Sequence, residues 1–219
     1  MKIYRNIVYL SDVTGTGFWR HICPITTSNC LQYQTKIVNS YTQQPVLDPN
    51  FYVGMNSVFI QRWMMPQQLE IVEKFFKPLF AQTGTKLIYE VDDLTDINHI
   101  PLYNPGRKGY ESKEVQDAIG KMMGYSDLIL TTTHYLKEQI HKSYSIPMEK
   151  IMAVPNLLPR WWFGDRYDTE KKLQQFKHYK SKPRIGVISS LSHFNLNNAK
   201  DENGNIIKDD FHEILDLVI

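Results

Sequence analysis

The run Tyr89-Glu90-Val91-Asp92-Asp93-Leu94 places Glu90, Asp92 and Asp93 at the end of an apolar stretch that begins at Lys86. Such a short apolar run reads as a buried strand. In an open α/β sheet, ligands bind outside the carboxyl ends of the strands, so acidic groups there stand at the mouth of a crevice rather than on a solvated face. Three chemistries are open to them: an oxygen-ligand site for a cation, a hydrogen-bonding or general-base site, and a helix-capping cluster. Alternation along the strand predicts Glu90 and Asp92 on one face and Asp93 on the other. Asp96 is the only further oxygen ligand nearby, and polar recognition or base catalysis, without a metal, is the preferred expectation.

A second constellation follows the first apolar run: Ser11-Asp12-Val13-Thr14-Gly15-Thr16-Gly17-Phe18-Trp19-Arg20, ahead of a predicted helix. Gly15 and Gly17 let the backbone approach a ligand closely, and a helix N-terminus favours an anion. The dinucleotide fingerprint would need a third glycine where this chain has Arg20. The loop therefore fits a phosphate contact or an ordinary tight turn. Arg20 fits either a bidentate phosphate fork or a salt bridge.

His134 closes a predicted strand and opens a helix, facing the same crevice as Asp92 in a capping, polar or catalytic role. Asn156, after Pro155, either bonds backbone at the end of the first domain or reaches a ligand. Ser189, Ser190, Ser192 and His193 follow a later strand, where they suit a phosphate or a serine-rich turn. Trp161 and Trp162 read as packing or as a stacking platform. No nucleophile elbow, Walker loop or zinc spacing is present, and Cys23 and Cys30 read as reduced thiols.

The elements that must position these residues alternate. Strands are predicted over 6–10, 36–38, 57–60, 86–91, 127–131 and 150–154, with helices over 67–80, 113–124 and 134–144. Strand and helix taking turns predicts an α/β fold, a Rossmann-like parallel sheet with helices on its faces. Leu69, Val72, Phe76 and Leu79 form the inward stripe of the first long helix, Pro66 starts it, and Thr133 caps the third. This first domain spans 1–159. A linker over 160–182, with a helix around 169–179, leads to a strand over 183–189, a turn at Glu202-Asn203-Gly204-Asn205 and a helix from Asp209. Residues 183–219 read as the beginning of a second, incomplete α/β domain.

Composition narrows the classes. Of 219 residues, 42% are hydrophobic, enough for a packed core. The 25 basic and 23 acidic residues leave a net charge of +2, which gives no argument for a polyanion-binding surface. No apolar run is long enough for a membrane span and the start lacks a signal peptide's pattern, so a cytoplasmic protein is expected.

The order of these signals resembles the GT-B glycosyltransferases of the retaining, family 4-like group, including phage-encoded members. The features that carry the resemblance are the Gly15-to-Arg20 loop, YEVDDL, Ser126-to-Thr133 before a helix, Val154-Pro155-Asn156, and Arg184-to-Ser190 with Ser192-His193. The resemblance implies a two-domain, hexosyltransferase-like enzyme moving a sugar from a nucleotide-sugar to an acceptor, either a glycan or a modified nucleic acid base, with no other cofactor. It implies Gly15, Gly17 and Arg20 near the donor's phosphates, Asp92, Asp93 and His134 toward the acceptor and the transferred sugar, and Ser190 and His193 on the donor side. Donor contacts that the family carries further along are missing, which implies a truncated or split form completed by a second polypeptide. Two alternatives stand beside it: a metal-dependent GT-A-type transferase using Glu90 and Asp92, and a noncatalytic α/β binding module.

Overall fold

A computed structural model describes residues 3–27, 32–40, 42–156, 174, 195 and 198–208. The chain divides into two compact units, Met1–Ile100 with Gly109–Leu157, and Pro101–Lys108 with Leu158–Ile219. The first carries a six-stranded sheet of β1 (Tyr4–Leu10), β2 (Tyr33–Asn39), β3 (Ser57–Gln61), β4 (Lys86–Glu90), β5 (Leu128–Thr131) and β6 (Ile151–Ala153). All neighbours pair in parallel, in the order β2-β1-β3-β4-β5-β6. The Rossmann-like α/β arrangement expected from the alternating pattern is what forms.

Alternation sorts the strands' side chains. Ile7, Tyr9, Val58, Ile60, Leu87, Tyr89, Ile129 and Ile151 are buried on one face, where they form the core with residues of the helices that connect β3 to β6. Those helices are α2 (Pro66–Ile71), α3 (Lys77–Thr83), α4 (Lys113–Tyr125) and α5 (His134–Tyr144). Right-handed crossovers that advance in one direction across a sheet must lie on one face. The connection from β1 to β2 advances the other way, and its helical segment lies on the opposite face. That segment is a π turn (Phe18–Ile22) running into α1 (Cys23–Thr27).

Local signals explain the boundaries. Pro66 occupies the first turn of α2, where its missing N–H costs nothing. A π turn at Val72–Phe76 joins α2 to α3, with the Lys77 N–H donating to the Val72 carbonyl. Val72 and Phe76 point inward as the periodicity predicts, but Phe80 is more deeply buried than Leu79, because the wider i→i+5 turn delays the next inward position by one residue. The helix ends at Gly84, whose φ of +74° suits glycine. Ser112 caps α4, and Thr133 caps α5 by accepting from the Leu136 N–H at 3.0 Å. Leu136 and Ile140 are buried below it.

In the second unit, Lys200 and Ile206 bridge antiparallel around the turn predicted at Glu202–Asn205. The Asp201 carboxylate accepts from the Asn203 and Asn205 N–H groups at 2.9 and 2.8 Å, and Gly204 takes a φ of +83°. Apart from Gln174, the helix expected around 169–179 lies outside the described residues, as do the strand at 183–189, the helix from Asp209, and Cys30, Trp161, Trp162, Ser189, Ser190, Ser192 and His193. Among the described residues no helix is long and apolar enough to cross a membrane.

Candidate functional site

The strand order reverses between β1 and β3, so the crevice of an open sheet opens at their carboxyl ends, beside that of β4. β3 ends at Gln61, and Arg62 follows with a φ of +50°. A non-glycine residue in the left-handed region costs about 1 kcal/mol. The turn is held by the Arg62 N–H, which donates to the Glu90 carbonyl at 2.9 Å. It sends the Arg62 side chain across the end of β4, where Nε donates to Asp92 and Nη2 to Asp93.

Asp92 and Asp93 thus meet on one guanidinium, while Glu90 turns to other partners. This corrects the expected split of Glu90 and Asp92 from Asp93. Strand pairing stops at Glu90, so alternation no longer governs the residues beyond it. Asp92 also accepts from the Thr16 hydroxyl at 2.6 Å, and its side chain is only 11% exposed. Asp93 is 66% exposed and presents its carboxylate to solvent. Burial opposes the Arg62 charge, but Asp92 and Asp93 outweigh it and raise its pKa. Beside them the Tyr110 phenol is pushed up, chiefly by burial, with the two aspartates adding to the rise against Arg62. Gln116 supports the loop from behind, its Nε2 donating to the Thr95 and Tyr110 carbonyls at 2.8 and 3.0 Å.

The glycine loop wraps around an acid of its own. The Gly15 N–H donates to Asp12 Oδ1 at 2.6 Å, and the Gly17 N–H lies within 3.3 Å of the same oxygen. A Cβ at Gly17 would stand 1.9 Å from the Asp12 carbonyl, so this position requires glycine; at Gly15 the nearest atom would be 3.2 Å away. The amides expected to meet a phosphate are capped by Asp12, as in a self-contained turn. Thr16, between the glycines, is the residue that reaches the carboxylates.

Glu90 is fully buried and anchors a separate cluster. It accepts from Arg20 Nε, and Oε2 lies 2.8 Å from His21 Nε2. Arg20 Nη1 donates to the Val154 carbonyl at 3.0 Å and to Asn156 Oδ1 at 2.8 Å. Arg20 thus makes the ion pair that one of its readings expects, and Asn156 makes an architectural bond through its Oδ1. Burial pushes the Glu90 pKa up, but the His21 hydrogen bond and the His21 and Arg20 charges more than offset it, so it lies below the ordinary value.

His134 is the exposed first residue of α5, and among the described residues no hydrogen bond or ion pair joins it to Asp92 or Asp93. Gln61 is fully buried at the base of the crevice; its Oε1 accepts from the Ser11 N–H at 3.1 Å and hydroxyl at 3.2 Å, which leaves Nε2 without a partner among the described residues.

Arg62, Asp12, His21 and Gln61 belong to the candidate site or its supporting clusters, and the sequence reading did not single them out. The rule that drew attention to Asp92 applies equally to β3, whose apolar run ends in Gln61-Arg62. What the arrangement offers is an accessible carboxylate held by a fixed cation, suited to accept a hydroxyl proton from a polar ligand. Among the described residues no group of His, Cys, Asp and Glu is arranged to hold a metal ion. Compared with models of known protein families the chain matches none, and no curated protein matches it significantly.

Proposed function

We propose that the chain is a glycosyltransferase of the GT-B kind that moves a sugar from a nucleotide-sugar to an acceptor hydroxyl. The observation that carries this reading is the Arg62–Asp92–Asp93 cluster at the carboxyl ends of β3 and β4, beside the point where the strand order reverses. In the reaction the acceptor oxygen bonds to the anomeric carbon as the bond to the nucleoside diphosphate breaks. Asp93, the exposed member, takes the acceptor's proton, and Arg62 holds its carboxylate in place. Asp92, largely buried, positions Arg62. The acceptor is a glycan or a modified nucleic acid base, the setting is the cytoplasm, and Ser190 and His193 serve the donor. The metal-dependent alternative needs Glu90 and Asp92 on one cation. Glu90 instead faces Arg20 and His21, and Asp92 faces Arg62 and Thr16, which favours the metal-independent reading.

The test is release of nucleoside diphosphate from a panel of uridine-, guanosine- and adenosine-diphosphate sugars by the full chain. Release that persists in EDTA and falls about 100-fold in Asp93→Asn supports the proposal. Release that requires manganese sinks the metal-independent reading. No release from any donor, or equal release by Asp93→Asn, leaves the noncatalytic binding module in its place.

A further inference from the structure

On the sheet face covered by the π turn lies a pocket of about 260 Å³ that has no part in the transfer chemistry above. Trp19, Phe59, Leu130 and Pro155 give it apolar walls. Its volume falls just under the range of drug-sized sites, so it suits a single small ring. Arg20, His21 and Asn156 also line it, and what their polar atoms are already doing defines the ligand.

Both Glu90 oxygens are engaged, one by Arg20 and one by His21. Asn156 Oδ1 is engaged by Arg20. Among the described residues no hydrogen bond uses Arg20 Nη2, Asn156 Nδ2 or His21 Nδ1, and the Arg20 and His21 atoms are not sealed orphans. The pocket therefore offers two N–H donors and one imidazole nitrogen. A sugar presents a hydroxyl donor on most of its carbons, more than the one uncommitted imidazole nitrogen can serve. A phosphate needs net positive charge, and the Arg20 cation is already paired with Glu90. A purely apolar guest would strip water from donors and return nothing. A planar ring with carbonyl acceptors on its edge satisfies donors and walls together.

The geometry points to a site for a small planar heterocycle bearing ring carbonyls, of the pyrimidine-dione class, held against the apolar walls with its carbonyl edge on Arg20 and Asn156. The site is independent of the proposed transferase reading and stands or falls apart from it.

Uracil is the probe, titrated into the full chain and followed by ligand-observed NMR, with toluene and glucose in parallel. Val154 is 37% exposed at the rim, and only its backbone is tied, so Val154→Trp fills the pocket from outside. Uracil is expected to bind the wild type, to lose at least roughly tenfold in affinity in Val154→Trp, and to lose about fivefold in Asn156→Ala, the worth of one neutral hydrogen bond. Asn156 is exposed, so that second variant carries the test if the first fails to fold. Absence of uracil binding, unchanged affinity in a folded Val154→Trp or in Asn156→Ala, or toluene or glucose binding as well as uracil would each overturn the assignment.

Discussion

Arg62 holds a left-handed backbone so that one side chain can bridge Asp92 and Asp93, and the cost and the benefit can be separated by two substitutions. Arg62→Ala removes the cation and keeps the unfavourable φ; Arg62→Gly removes both. Both should lose stability in urea, because Asp92 is left largely buried without its counter-charge. The glycine variant should be the more stable of the two by about 1 kcal/mol. Equal midpoints would mean that the turn is not strained. Glu90 makes a second case through pH. Its folded pKa lies below the ordinary 4.5, so its stabilising contribution is complete above that value and disappears as pH falls through the folded one. Glu90→Gln should therefore cost roughly 3 kcal/mol at neutral pH. The gap to wild type should close in acid, as read from urea midpoints across the acid range. A gap independent of pH would show that packing, and not ionisation, is what the substitution disturbs.

At the scale of elements, the β1-to-β2 connection separates what glycine does for shape from what it does for ligands. Gly17→Ala drives a Cβ into the Asp12 carbonyl, whereas Gly15→Ala meets only the tip of the Asp12 side chain. Thermal unfolding should place Gly17→Ala below Gly15→Ala by about 2 kcal/mol, the scale of overpacking. A loop that simply opened to admit both would give equal values. The strands, α4, α5 and the Thr133 cap were readable from periodicity and end signals, because burial on one face leaves a regular imprint on residue type. The acidic end of β4 was readable by the same logic. For Arg62 the same logic marks the position but not the role, since nothing in Gln61-Arg62-Trp63 signals a left-handed turn and Asp92 comes alongside only through sheet pairing. The Asp12 cap was hidden for a related reason. A glycine loop looks alike in sequence whether its amides face a ligand or the chain's own carboxylate three residues back.

Across the sheet-bearing unit as a whole, rigidity should be graded from the centre outward, and the two proposed sites sit at different points on that gradient. β1, β3 and β4 each have a parallel neighbour on both sides, and their inward side chains are fully or almost fully buried. They carry the Thr16, Arg62 and Asp92–Asp93 positions, which suits chemistry that needs fixed geometry. β2 and β6 are the edges; most of β2 is exposed, and β6 pairs through only three residues, with Met152 52% exposed. Regions with fewer buried contacts open at lower free energy than the core. Native-state hydrogen exchange should thus find the amides of Val8, Ile60 and Tyr89 opening only with global unfolding, and those of β2 and β6 exchanging at least roughly 100-fold faster. Val154 and Asn156 lie just beyond β6, so the outer wall of the pocket near Arg20 belongs to the softer edge, and uracil bound there should slow exchange in β6 while leaving β1 and β3 unchanged. If β6 instead exchanges as slowly as β4 in the free protein, that wall is as rigid as the centre and the gradient is wrong. If uracil slows β1 and β3 but not β6, the ligand sits in the crevice of Arg62 and not beside Asn156.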